Sequence, residues 1–167
     1  DGIISASNSV GYTPSDSNGD IGPTHYVEAV NTLLQVFDRS GNPLIGTFHM
    51  STLFASLGGP ASVYDDGDPT VLYDSLADRW LISQFVITPW ENSNGASNCI
   101  QAVAVSKTGN PLGSYYLYSF TMPNNKMNDY PKLGVWSDGY YLTDNQFDPP
   151  PSWSWSGAGV FAFNRAA

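Results

Sequence analysis

The feature that most constrains this chain is a series of short strand-like runs, each closed by turn-forming residues. The runs carry aromatic and β-branched side chains, which fit a pleated sheet. Sixteen Gly and twelve Pro are spread through the 167 residues, and no long segment between them has apolar residues at helical spacing. The pattern therefore predicts an all-β protein whose strands are joined by short turns.

Four strands are predicted in the middle of the chain, at 70–74, 79–87, 99–107 and 115–121. Polar turns or loops at 75–78, 88–98 and 108–113 separate them. Consecutive antiparallel strands joined by hairpins form a meander, which is the shape of one β-propeller blade. Further strands are predicted at 25–31, 33–39, 44–50, 132–136, 140–147 and 157–165, with a helical turn around 51–57. Residues 1–24 are polar and predict a loop or arm.

A spacing of 62 residues relates two of these units. Pro69 and the pair Gln84-Phe85 recur as Pro131 and the pair Gln146-Phe147 at the same internal distance. A fixed period indicates repeat architecture. It predicts a partial first blade at 25–66, a second blade at 67–128 and a partial third blade at 129–167.

A propeller closes with about four to eight blades. At this period the chain holds two to three, so we expect the ring to be incomplete within it. The remaining blades would come from the same precursor, from a nicked second chain or from other subunits.

The charge balance excludes some partners and favours others. Six Lys and Arg against fifteen Asp and Glu give a net charge of -9, which repels nucleic-acid phosphates. A cation such as Ca²⁺ suits this surface better. No apolar run approaches the length of a membrane span. The single cysteine, Cys99, excludes an internal disulfide and predicts a buried thiol. Low Lys and near-absent Cys are typical of exported microbial proteins, which predicts an extracellular or cell-surface location.

One local pattern predicts a calcium site. Asp16, Asn18 and Asp20 alternate as oxygen ligands do in calcium loops, and Glu28 follows. The sixth position is Ile21 instead of Gly, so a standard EF-hand loop is excluded. A looser calcium loop and a solvated turn both remain open.

Two aspartates are candidates for catalysis. Asp68 precedes a strand of the second unit, and Asp129 has a comparable place one repeat later. Paired carboxylates from neighbouring blades are what glycoside cleavage requires. Metal or water binding is a second interpretation, and turn formation before Pro is a third.

Aromatic residues in loops are the remaining candidates. Exposed Trp90, Trp153 and Trp155 would stack on sugar rings, or else cover the edges of blades. Arg79 is expected to pair with Asp74 or Asp78 and so anchor a blade.

Several motifs together resemble a group of large, secreted, mostly bacterial proteins. They are DSNGDIGPTHYV at 16–27, GDPTVLYD at 67–74, ADRW at 77–80, SQF at 83–85, NDYPKLGVW at 128–136 and GAGV at 157–160. The resemblance covers nearly the whole chain. It implies a propeller-like fold and an extracellular setting, and it supplies no catalytic residues. The proteins of that group are longer than this chain, which agrees with an incomplete ring.

The sequence therefore predicts a secreted structural or binding propeller that recognises a glycan, a surface polymer or partner subunits, with Ca²⁺ as a candidate stabilising ion. One alternative is a glycoside hydrolase that uses Asp68 and Asp129. Another is a self-assembling extracellular protein whose exposed strand edges pair with neighbouring copies.

Overall fold

The computed structural model describes residues 14–88, 98–149 and 151–165. It contains three antiparallel sheets, which follow one another along the chain. No helix in these ranges has the length and apolar character needed to cross a membrane. The prediction of an all-β protein is confirmed.

Sheet 1 has four strands in chain order. They are β1 (Asn18–Ile21), β2 (His25–Val30), β3 (Leu33–Asp38) and β4 (Phe48–His49). The short helix α1 (Met50–Leu53) and a 3-10 turn (Pro60–Ser62) follow. Two predictions are wrong here. Part of the expected N-terminal arm forms β1, because it pairs in register with β2. The strand expected at 44–50 is reduced to β4, because only Phe48 and His49 pair with β3 as a continuous ladder, and the contact resumes as a single bridge between Phe37 and Pro43.

Sheet 2 confirms the predicted meander. Its strands are β5 (Gly67–Asp74), β6 (Arg79–Ile87), β7 (Cys99–Ser106) and β8 (Tyr115–Thr121). Sheet 3 has three strands, with β10 between its neighbours. They are β9 (Met127–Val135), β10 (Gly139–Phe147) and β11 (Trp155–Asn164), and a 3-10 turn (Pro123–Asn125) precedes them.

Sheet 2 lies between the other two sheets. One core, containing Val36, Trp80 and Ala102, joins sheets 1 and 2, and α1 closes one side of it. A second core, containing Leu81, Val103 and Tyr140, joins sheets 2 and 3. Every residue of β7 is buried, including Cys99, whose thiol is free as predicted.

The described residues cover only one face of sheet 3. Along β10, Tyr140, Leu142 and Asp144 are buried, whereas Tyr141 and Thr143 between them are exposed. This alternation follows from the period of two in a strand. Among the three described sheets, sheet 3 is therefore an outer one.

Candidate functional site

The first strands of the three sheets lie side by side, since β1 contacts β5 and β5 contacts β9. The polar residues singled out in the sequence lie on or beside these strands. Their side chains connect one sheet to the next, and we call this row of contacts the inter-sheet seam.

Asn18 and Asp20 connect sheet 1 to sheet 2. The Asn18 Oδ1 atom accepts the main-chain N–H of Val71 at 2.7 Å, and the Asp20 Oδ2 atom accepts that of Tyr73 at 2.7 Å. Both side chains leave the same face of β1 because they are two residues apart in a strand. The alternating motif is thus used to hold β5.

Asp68 connects sheet 2 to sheet 3 in a similar way. Its Oδ2 atom accepts the main-chain N–H of Tyr130 at 2.8 Å. Asp68 and Tyr130 are 62 residues apart, and both have a positive φ, 46° and 50°. Tyr130 is therefore the repeat equivalent of Asp68, and Asp129 is equivalent to Gly67.

Asn31, which the sequence analysis did not single out, links Asp16 to Asp68. Its Nδ2 donates to Asp16 Oδ2 at 2.8 Å, and its Oδ1 accepts the Asp68 N–H at 2.9 Å. Gly67 is required beside Asn31 for two reasons. A Cβ at position 67 would lie 2.5 Å from Asn31 Oδ1, and the φ of Gly67, 123°, is one that other residues rarely adopt. No sequence pattern marks a lone Asn at the end of β2.

Four aspartates gather along the seam: Asp16, Asp68, Asp129 and Asp144. Burial raises the pKa of Asp68, and the charges of Asp16 and Asp129 and a hydrogen bond with Asp16 raise it further. The N–H of Tyr130 opposes these effects. Burial also raises the pKa of Asp129, with the Asp16 charge adding to it against a hydrogen bond from Asn145. The two proposed catalytic carboxyls therefore interact electrostatically.

Asp144 is the most perturbed of the four. Burial raises its pKa to about 6, the Asp129 charge adds to this, and the N–H of Gly159 opposes it. The side chain is 4% exposed, and its Oδ2 has no hydrogen-bond partner. Asn128 Oδ1, also on sheet 3, is buried without a partner too. The period of two in β10 could have identified Asp144, since it shares a face with Tyr140 and Leu142.

The predicted calcium ligands are not brought together. Asn18 and Asp20 lie in a strand with oxygens engaged by β5, and Glu28 lies on β2 opposite Gly19. Asp16 accepts from Asn31. In the parts of the chain that the structure describes, no group of three or more His, Cys, Asp or Glu could hold a metal ion. Calcium binding stays a prediction.

An ion pair between Asp74 and Arg165 corrects the expectation for Arg79. Asp74 is fully buried and pairs with Arg165, whose Nε lies 2.7 Å from Oδ2. The Tyr140 hydroxyl donates to the same oxygen at 3.0 Å. Although burial alone would raise the pKa of Asp74, these two hydrogen bonds hold it below its usual value. Arg79 instead lies over the ring of Tyr116. The sequence analysis missed Arg165 as the partner of Asp74 because the two residues lie 91 positions apart in the sequence.

Of the three tryptophan candidates, Trp90 lies outside the described residues. Trp153 and Trp155 are 42% and 67% exposed. Trp155 is the first residue of β11, opposite Phe147, so it lies on a strand and not in the predicted loop. The two indoles flank one residue and offer apolar rings to solvent.

Three cavities formed by the described residues are lined by neither Asp68 nor Asp129. The apolar one, about 320 Å³, lies between sheets 2 and 3. Its walls include Tyr118, Phe120, Leu133 and Phe163. These three cavities are thus separate from the row of carboxylates.

Comparison with known proteins gives no relative: no family model, no curated protein and no solved structure matches this chain.

Proposed function

We propose that the chain forms consecutive blades of a β-propeller and acts as a non-catalytic binding scaffold in an extracellular setting. The observation that carries the proposal is the inter-sheet seam. Side-chain oxygens of Asn18, Asp20 and Asp68 accept main-chain N–H groups from the first strand of the next sheet. A repeated link of this kind stacks meanders in chain order, as blades stack about an axis.

The seam also explains Asp20 and Asp68 of the acidic motifs without a catalytic role. A carboxylate that accepts a main-chain N–H stabilises the fold without any reaction, and removing it leaves that N–H without its partner. The acidic composition and the resemblance to secreted proteins support the extracellular setting.

For the bound partner we propose a carbohydrate polymer that stacks on Trp153 and Trp155. Both indoles are exposed, and flat aromatic rings suit the apolar faces of sugars. The test uses affinity electrophoresis to measure the binding of the 167-residue chain to a panel of soluble polysaccharides. Trp155→Ala should weaken binding by about tenfold or more. Trp136→Ala is the matched control, since Trp136 is 68% exposed at the other end of sheet 3.

A hydrolase is the second candidate, and one observation favours it. Asp68 and Asp129 interact, and both carboxyls have raised pKa values, as a general acid needs. Release of reducing ends from the polysaccharide would support this candidate if both Asp68→Asn and Asp129→Asn abolish it. Binding that survives both substitutions, without release of reducing ends, favours the scaffold.

A further inference from the structure

The edge strand of sheet 3 has an unusual composition. β11 is the longest strand in the described chain, with ten residues, and it contains no charged residue and no Pro. Natural sheets protect exposed edges with charges, Pro, bulges or very short strands. Beyond the irregularity near Phe147, β11 carries no such protection along 158–164. Its composition is typical of an edge that pairs with another strand.

A row of aromatic side chains on β8 lies beside this edge. Tyr116, Tyr118 and Phe120 alternate along the strand, and all three line the 320 Å³ groove between sheets 2 and 3. Phe120 contacts Phe163 of β11, with ring centroids 4.8 Å apart. Tyr116 and Phe120 are 45% and 39% exposed. An added strand beside β11 would cover this row.

One end of the groove is positively charged in an otherwise acidic protein. The Arg79 guanidinium and the Lys107 ammonium lie 5.8 Å and 4.8 Å from the centre of the Tyr116 ring. Neither forms an ion pair with a carboxylate in the described ranges, whereas Arg165 beside them pairs with Asp74. Two of the six basic residues of the chain therefore meet at this end without a carboxylate partner.

We propose that the groove binds an extended strand of a partner protein, which pairs antiparallel with β11. Alternate apolar side chains of that strand pack on the β8 row, in the mode of β-augmentation. β11 ends beside Arg79 and Arg165, so an antiparallel strand begins there and carries an acidic residue near its N-terminus. A second copy of β11 fits less well, because it has no acidic residue to offer.

The main-chain geometry identifies which N–H groups the partner uses. The N–H of Gly159 points toward β10, where it donates to Asp144 Oδ1 at 3.0 Å. Successive N–H groups of a strand alternate in direction. Those of Val160 and Ala162 therefore point away from β10, to the edge that no other described strand pairs with. Val160→Pro removes one of these donors, and its side chain, 74% exposed, packs little.

The experiment measures binding of a fluorescein-labelled peptide, acetyl-EVTVTVS-amide, to the 167-residue chain by fluorescence anisotropy. Val160→Thr should bind as the unchanged protein does, and Val160→Pro about tenfold more weakly. Replacing the first residue of the peptide by Lys should weaken binding about fivefold at low salt, and less at high salt. Arg79→Gln should cause a similar loss, which tests the groove independently if Val160→Pro fails to fold.

Three results would overturn the proposal. The first is no binding up to about 1 mM peptide. The second is equal affinity of the Val160→Pro and Val160→Thr variants when both retain the circular dichroism of the parent. The third is a dimer in sedimentation analysis whose β11 amides are protected without peptide, since that assigns the edge to a second copy. The peptide experiment does not involve Asn18, Asp20 or Asp68, so its failure would leave the inter-sheet seam untouched.

Discussion

Replacing Asp144 by Asn should stabilise the protein at neutral pH. Asp144 is buried, and one of its oxygens has no partner. Burial raises its pKa to about 6, against an ordinary value of 3.8 for the aspartates of this chain. At neutral pH the folded protein therefore holds a carboxylate that would be more stable in water.

The pKa difference of about two units corresponds to about 3 kcal/mol of unfolding free energy. Because the folded pKa is the higher one, the folded state binds the proton more tightly than the unfolded state. The stabilisation by this group is complete below about pH 4 and is lost as the pH rises through about 6. Asp144→Asn should thus gain about 1–3 kcal/mol at pH 7 and change little at pH 4.

Urea unfolding followed by circular dichroism between about pH 4 and pH 7.5 measures this difference. Asp38→Asn is the control with the opposite sign. Hydrogen bonds from Asn42 and Ser40 lower the pKa of Asp38, so this substitution should reduce stability at neutral pH and not at low pH. An Asp144→Asn variant less stable than the parent at pH 7, with an unchanged pH slope, would refute the reasoning.

Three further changes test the packing by urea unfolding. Asp74→Ala leaves the Arg165 guanidinium without its buried carboxylate and should cost about 3–5 kcal/mol, whereas a loss below about 1 kcal/mol would contradict the ion pair. Asp20→Ala should cost about 1–3 kcal/mol through the unpaired Tyr73 N–H, and calcium should not alter that loss. Trp80→Ala, at 1% exposure, should cost about 3–5 kcal/mol, and a near-neutral result would place the indole outside the core.

The fold was predictable where local patterns decide it. The four strands of sheet 2 are long and strongly apolar, and distinct turns separate them, so local periodicity located them. β1 was missed because Asn18–Ile21 is polar, and it becomes a strand only by pairing with β2 and by its side-chain links to β5.

Several members of the seam were predicted from the sequence, but Asn31, Asp144 and the links between the members were not. Asp68 and Asp129 are conspicuous in sequence, and the structure brings them into electrostatic contact. The bond from Tyr130 to Asp68 and the bridge through Asn31 join residues 62 and 37 positions apart. Such contacts depend on how the sheets stack, which no local pattern encodes.

Amide hydrogen exchange tests the inter-sheet seam most directly. In the unchanged protein, the N–H groups of Val71, Tyr73 and Tyr130 should be protected without calcium. Asp68→Ala should speed the exchange of the Tyr130 N–H, while the amides of β7 keep their protection. Rapid exchange at these three positions in the parent protein, or protection that appears only when calcium is added, would contradict the account.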